Sequence, residues 1–256
     1  NLGLMIRHLI CRHYRRGHQG QPDAEEERAE GRDRRGPADD ATGLAPLEDH
    51  RHLLERRGVD ESWHRFLTSS FRENVPWTTM VQRMIQPDLG DPDQQGAGFF
   101  LTKRLEKYGQ NPTDYPGLAS DIGRLFMGMD LACAQCHDHL FVDAYKQRDF
   151  QGLYAFVNNT FIRSDLEFPA IGQRVMKTAL PFQSVFEADP LSTGPRIPGQ
   201  AELKVPEHIA AEEFAIAPNK ETKAPGVPAF NPLKYLSAQL PVRANKAFNR
   251  NIVNRL

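Results

Sequence analysis

Two thiols and two imidazoles fall within the seven residues Cys133-Ala134-Gln135-Cys136-His137-Asp138-His139. The Cys-x-x-Cys-His part has the form of a c-type haem attachment site. In such a site the two thiols add to the porphyrin vinyl groups and the following histidine becomes the proximal iron ligand. One helical turn would carry both thiols past the macrocycle edge and swing the imidazole beneath the iron.

The same residues allow other chemistry. Cys133, Cys136, His137 and His139 are a mixed sulfur and imidazole set of the kind that zinc or iron accepts. Four ligands this close in sequence rarely close a tetrahedron alone, so His208, Asp143 or Asp149 would be expected to contribute. The Cys-x-x-Cys spacing also permits a thiol-disulfide pair, although no strand-then-helix context flanks it. A fourth reading is structural, with small buried thiols and satisfied histidines. Asp138 and Asp143 are candidates to orient the histidines from behind. For a sixth iron position Met127 and Met129 lie just upstream with poor geometry. Met176 and His208 are distant in sequence and better placed in principle, and His139 follows His137 too closely to reach the opposite face.

The elements that must position this cluster are mostly helical. Trp63, Phe66, Leu67 and Phe71 recur at helical spacing, as do Leu53 and Leu54 before them. Asn74-Val75-Pro76 interrupts the pattern, and Trp77, Met80, Val81, Met84 and Ile85 resume it, with Pro76 suited to a first turn. Trp63 and Trp77 read as core. Pro87–Pro92 reads as a loop. Leu118, Ile122, Leu125, Phe126 and Met129 form a stripe on a helix that runs toward Cys133. Phe150, Leu153, Tyr154 and Val157 predict a further short helix beyond it.

Past about residue 164 proline becomes frequent and helical periodicity fades. Thr178–Phe186 and Ala201–Val205 read as short β-like pieces, and 217–228 as a loop. Pro232–Leu256 turns helical again. The expected class is mainly α with a smaller β-containing C-terminal segment (α+β). The expected divisions are 1–45, 46–164 carrying the motif, 165–231 and 232–256.

Composition narrows the function. With 32 basic and 33 acidic residues the formal net charge is -1, which gives no basis for expecting nucleic acid as a partner. No apolar run reaches the roughly 18 to 20 residues of a membrane span. Three cysteines, Cys11, Cys133 and Cys136, are too few and uneven for a disulfide scaffold. Residues 15–40 hold no apolar residue other than alanine. They read either as a charged linker unable to bury enough surface to fold or as text outside the true reading frame. Gly96-Ala97-Gly98 lacks the setting of a nucleotide-binding loop.

The stretch Leu131–Phe156 resembles the signature of a family abundant in planctomycetes, a domain of unknown function (DUF1549) described as cytochrome-c-like. Cys133, Cys136, His137, Asp138, His139, Phe141, Gln147, Asp149 and Tyr154 fall in place, while Leu140 and Val142 depart from the usual Lys and Asp, and Ala144 from the usual Pro. Asn74–Val81 is similar to another helix of that family. Ala247–Leu256 is similar to the opening of its companion domain (DUF1553), and both ends of the chain are expected to be cut. The resemblance implies an exported protein of the periplasm or cell envelope, often joined to cytochrome c modules or carbohydrate-associated domains.

The reading is therefore a c-type haem-binding envelope protein with an electron-transfer or redox role and no assigned reaction. Cys133 and Cys136 would supply the thioether links and His137 the iron ligand. The expected partners are redox proteins or envelope polysaccharide. The alternative is a non-haem zinc or iron site from Cys133, Cys136, His137 and His139, in an exported enzyme or an envelope scaffold.

Overall fold

The computed structural model describes residues 61–106, 113–207 and 209–253. The expectations for residues 1–45, Cys11, Leu53, Leu54 and His208 lie outside these.

Helix α1 (Glu61–Arg72) buries Trp63, Phe66 and Leu67, the apolar positions whose spacing predicts it. Asn74 takes a positive φ of 53°, a value that asparagine tolerates better than most residues, and the chain reverses there. Pro76 then caps α2 (Trp77–Ile85), with Met80, Val81, Met84 and Ile85 buried. A 3₁₀ turn (Gln95–Gly98) leads into α3 (Phe99–Leu105), a helix absent from the sequence reading. Its seven residues are too few to show an amphipathic period.

Helix α4 (Tyr115–Met127) starts on Asp114, whose side chain accepts from the Gly117 amide. Its buried face carries Leu118, Ala119, Ile122 and Phe126. It stops at Gly128, which has φ 68°, with the Gly128 amide donating to Arg124 O. A left-handed residue at this point favours glycine. The helix therefore does not run into the motif, and Met129 lies beyond its end rather than on it. The motif has its own 3₁₀ turn, Cys133–Gln135.

Helix α5 (Gln147–Val157) is the central support. Phe150, Leu153, Phe156 and Val157 are almost fully buried, and each such side chain contributes about 1.5–3 kcal/mol by leaving water. It packs against α4, the motif turn and strands β3 and β4. Those strands belong to three small antiparallel pairs. They are β1 (Thr160–Ile162) with β2 (Ile171–Gln173), β3 (Leu180–Phe182) with β4 (Leu191–Thr193), and β5 (Phe214–Ile216) with β6 (Val227–Pro228). The expected piece Thr178–Phe186 thus contains β3. Ala201–Val205 is not a strand: the Leu203 amide donates to Pro195 O but no ladder forms. The end of the expected loop 217–228 is β6.

Helices α6 (Pro232–Gln239) and α7 (Lys246–Val253) close the chain. Asn251 on α7 donates to Leu125 O at 2.8 Å, which ties it to the end of α4. The architecture is mainly α, with the strand pairs a minor part. No helix among the described residues is long and apolar enough to cross a membrane.

Candidate functional site

The motif turn is pinned from inside and open outside. Leu131 and Ala134 are completely buried, and the Ala134 amide donates to Leu131 O at 3.0 Å. Ala134 faces the core, where a small side chain lets the turn sit close to α5. Cys133 and Cys136 face outward, exposed and free rather than bridged. The reading of the pair as buried structural thiols is thereby corrected: the turn buries Ala134 instead.

The two histidines are held in opposite ways. His137 Nδ1 lies 2.6 Å from the backbone carbonyl of Asp138. A carbonyl only accepts, so Nδ1 carries the proton and a neutral ring has its free lone pair on Nε2. His139 Nδ1 instead accepts from the amides of Phe141 and Val142, each at 3.1 Å. Its lone pair is engaged, and a neutral ring carries its proton on Nε2. The His139 amide also donates to Tyr145 O at 2.9 Å, and Tyr145 N to Val142 O. His139 is thus the internal staple of loop 139–145, whereas a neutral His137 keeps an unengaged Nε2 lone pair.

The Asp138 carboxylate orients neither imidazole, contrary to expectation; it is spent on the start of α5. Its Oδ1 accepts from the Gln147 amide at 2.8 Å, satisfying an open donor at the start of α5. Its Oδ2 lies 3.0 Å from Lys146 Nζ. Burial pushes the carboxyl up, but the Gln147 amide and Lys146 outweigh that and hold it below the usual carboxylate range. Asp143 is exposed in the loop and bonds to neither histidine. Met127 and Met176 are core residues.

Residues outside the predicted set complete the surroundings. Phe186 sets its ring 5.2 Å from the His137 ring, and the Val185 amide donates to Cys136 O at 3.1 Å. Gln147 and Gln151 donate to Gln135 O at 3.3 and 2.9 Å, and Gln147 also to Gln183 O at 3.0 Å. Asp149, an expected extra metal ligand, faces Arg196 at 3.2 Å. Burial raises its carboxyl and Arg196 opposes the rise. The pairing of Gln147 and Gln151 at i, i+4 is a signal visible in the sequence. Phe186 and Arg196 had none, because only folding brings them near.

Apolar side chains stand in water around the site. Phe141 is 89% exposed and Phe186 is 72% exposed, and Leu140 and Val185 are also largely uncovered. Among the described residues no group of three or more His, Cys, Asp or Glu side chains is arranged to hold a single metal ion.

These features suit thioether attachment. The thiols are free, exposed and borne on one short turn. The next histidine has its Nδ1 committed to a carbonyl, as iron- and zinc-ligating imidazoles commonly do. Apolar side chains beside it offer contacts for a flat apolar face. The compact alternative with His139 fits less well, because the Nδ1 of that ring already serves two amides.

Fold and site together define a helical scaffold that presents a Cys-x-x-Cys-His turn on its surface. Residues 43–161 match the model of the family PSCyt2, described as a protein of unknown function (DUF1549). The match takes in α1 to α5 and the whole motif, and ends within β1. No curated protein and no solved structure matches the chain.

Proposed function

We propose that the chain carries a c-type haem on Cys133, Cys136 and His137 and serves in electron transfer. The observation that carries this reading is the pairing of two exposed, unbridged thiols with a histidine whose Nδ1–H is tied to the Asp138 carbonyl. Cys133 and Cys136 would hold the group through their sulfurs, and His137 Nε2 would meet the iron. The haem would supply one-electron redox chemistry.

The chain's own residues have three tasks in this reading. Asp138 anchors the start of α5 through the Gln147 amide and fixes the backbone next to His137. Its carbonyl sets the imidazole tautomer. The Phe186 ring lies beside the imidazole and makes that side less polar, which is one lever on a haem potential. Thioether formation in bacteria takes place outside the cytoplasm, so the periplasm or cell envelope is the corresponding location. The partner would be a redox protein that docks near the exposed Phe141 and Phe186.

The test is expression with an export signal and the haem maturation system. The expected result is a Soret band that stays with the polypeptide through acid-acetone extraction and is lost in the Cys133→Ala, Cys136→Ala double variant. A chain that matures without pigment overturns the reading. Stoichiometric zinc or iron in that pigment-free chain would transfer the site to the non-haem alternative.

A further inference from the structure

We propose that Gln147 is a positioning residue, which ties the 183–186 segment to the Cys133–Cys136 turn and thereby sets Phe186 against the His137 ring, with Gln151 bracing the shared acceptor, Gln135 O. The consequence for a bound group rests on the function proposed above; the positioning itself does not.

Both side chains lie on the buried face of α5, at 4% and 8% exposure. Their neighbours on the helix, Phe150, Leu153 and Phe156, are apolar. A buried amide costs about 1–3 kcal/mol unless it is hydrogen-bonded, so apolar residues at 147 and 151 would extend the core more simply. The amides are spent on particular acceptors. Gln135 O receives two donors, from Gln147 and Gln151, and that carbonyl sits between the two cysteines of the motif. The Gln147 NH2 group divides its donors, one toward Gln135 O and one toward Gln183 O. One side chain therefore bridges the motif turn and the end of β3.

The bridge has a partner in the backbone. The Val185 amide donates to Cys136 O, so the segment after β3 is fastened to two successive carbonyls of the motif, Gln135 O through Gln147 and Cys136 O directly. Three residues past Gln183 comes Phe186, whose ring meets His137 at 5.2 Å although the side chain is 72% exposed. A ring so exposed is not held by core packing. Its place follows from the anchors at 183 and 185 together with the turn that Ser184 makes with the Phe186 and Glu187 amides. The imidazole is then confined by two constraints, its own Nδ1–H on the Asp138 carbonyl and the Phe186 ring beside it. The orientation of a ligating imidazole and the shielding around it are properties that outer contacts tune.

The experiment is NMR on the full chain without added cofactor. In the parent, ring protons of Phe186 and His137 are expected to give a cross-peak, and the Val185 amide to exchange slowly. Gln147→Leu fills similar volume but cannot donate. It is expected to lose the cross-peak and to speed Val185 exchange about tenfold or more, with α4 amides unchanged. Gln151→Leu removes the shorter bond to Gln135 and gives the same changes to a lesser degree, and it serves if Gln147→Leu does not fold. Phe186→Ala, a surface change, keeps Val185 protection. A cross-peak and slow Val185 exchange that survive in the folded Gln variants overturn the proposal. After haem maturation, Gln147→Leu and Phe186→Ala are expected to keep the parent's covalent pigment content and to shift the EPR g-values of the iron alike. A parent that takes no pigment refutes the haem reading, while the NMR comparison still decides the positioning role.

Discussion

His137 and Asp138 are joined at 2.6 Å through the imidazole Nδ1 and the Asp138 carbonyl oxygen, a bond that leaves Nε2 of a neutral ring without its proton. His139, two residues on, spends its Nδ1 on two amides of its own loop. The two rings should thus respond differently to substitution. His137→Ala is expected to keep covalent pigment but shift the Soret band through loss of the axial nitrogen. His139→Ala is expected to leave the spectrum in place and to cost about 0.5–1.5 kcal/mol of stability through the lost loop bonds. Absorption spectra and urea melts of both variants check this. Equal spectral changes would contradict the division of roles.

Cys133 and Cys136 are exposed and contribute little packing. Each single change to alanine, in the chain without cofactor, is expected to alter stability by no more than about 0.5 kcal/mol. Denaturant midpoints measure it. A loss of several kcal/mol would mean that the sulfurs serve the fold itself.

Asp138 gives acid sensitivity of a stated sign. Its carboxyl titrates below the usual carboxylate range in the folded chain, so the folded state favours the ionised form. The stabilisation is complete above the unfolded value of about 3.9 and is lost as pH falls through the lower folded value. Asp138→Asn should flatten the stability curve in that window and leave its slope near neutrality unchanged. Melting temperatures collected between acid and neutral pH check it.

Gly128 ends α4 with φ 68°, and a Cβ there would lie 2.8 Å from Asn251 Oδ1. Gly128→Ala is expected to destabilise the chain by about 1–2 kcal/mol from the backbone conformation, with further loss if Asn251 must leave Leu125 O. Leu153→Ala, in the support beneath the motif, is expected to cost about 2–5 kcal/mol. Calorimetric or urea unfolding distinguishes the two magnitudes.

The helices bearing regular apolar stripes, α1, α2, α4 and α5, were legible because burial of one face repeats every 3.6 residues. α3 was too short to show that repeat. The strand pairs, two or three residues each, were hard to place for the same reason: Ala201–Val205 carries suitable residues but finds no partner, while Thr160–Ile162 and Ile171–Gln173 pair. Pairing is a relation between distant segments, and local composition does not specify it.

Residue identity and spacing alone determined that two thiols and an imidazole share one turn, and that amphipathic helices stand before and after it. Which histidine keeps an unengaged ring lone pair was decided by backbone carbonyls and amides, whose directions exist only once the chain has turned. The tertiary structure also chose Ala134 as the buried member of the motif, Gln147 and Gln151 as its anchors and Phe186 as the ring beside His137. Those choices join residues as many as 49 positions apart, from His137 to Phe186, and no local pattern encodes a contact made by closing so long a loop.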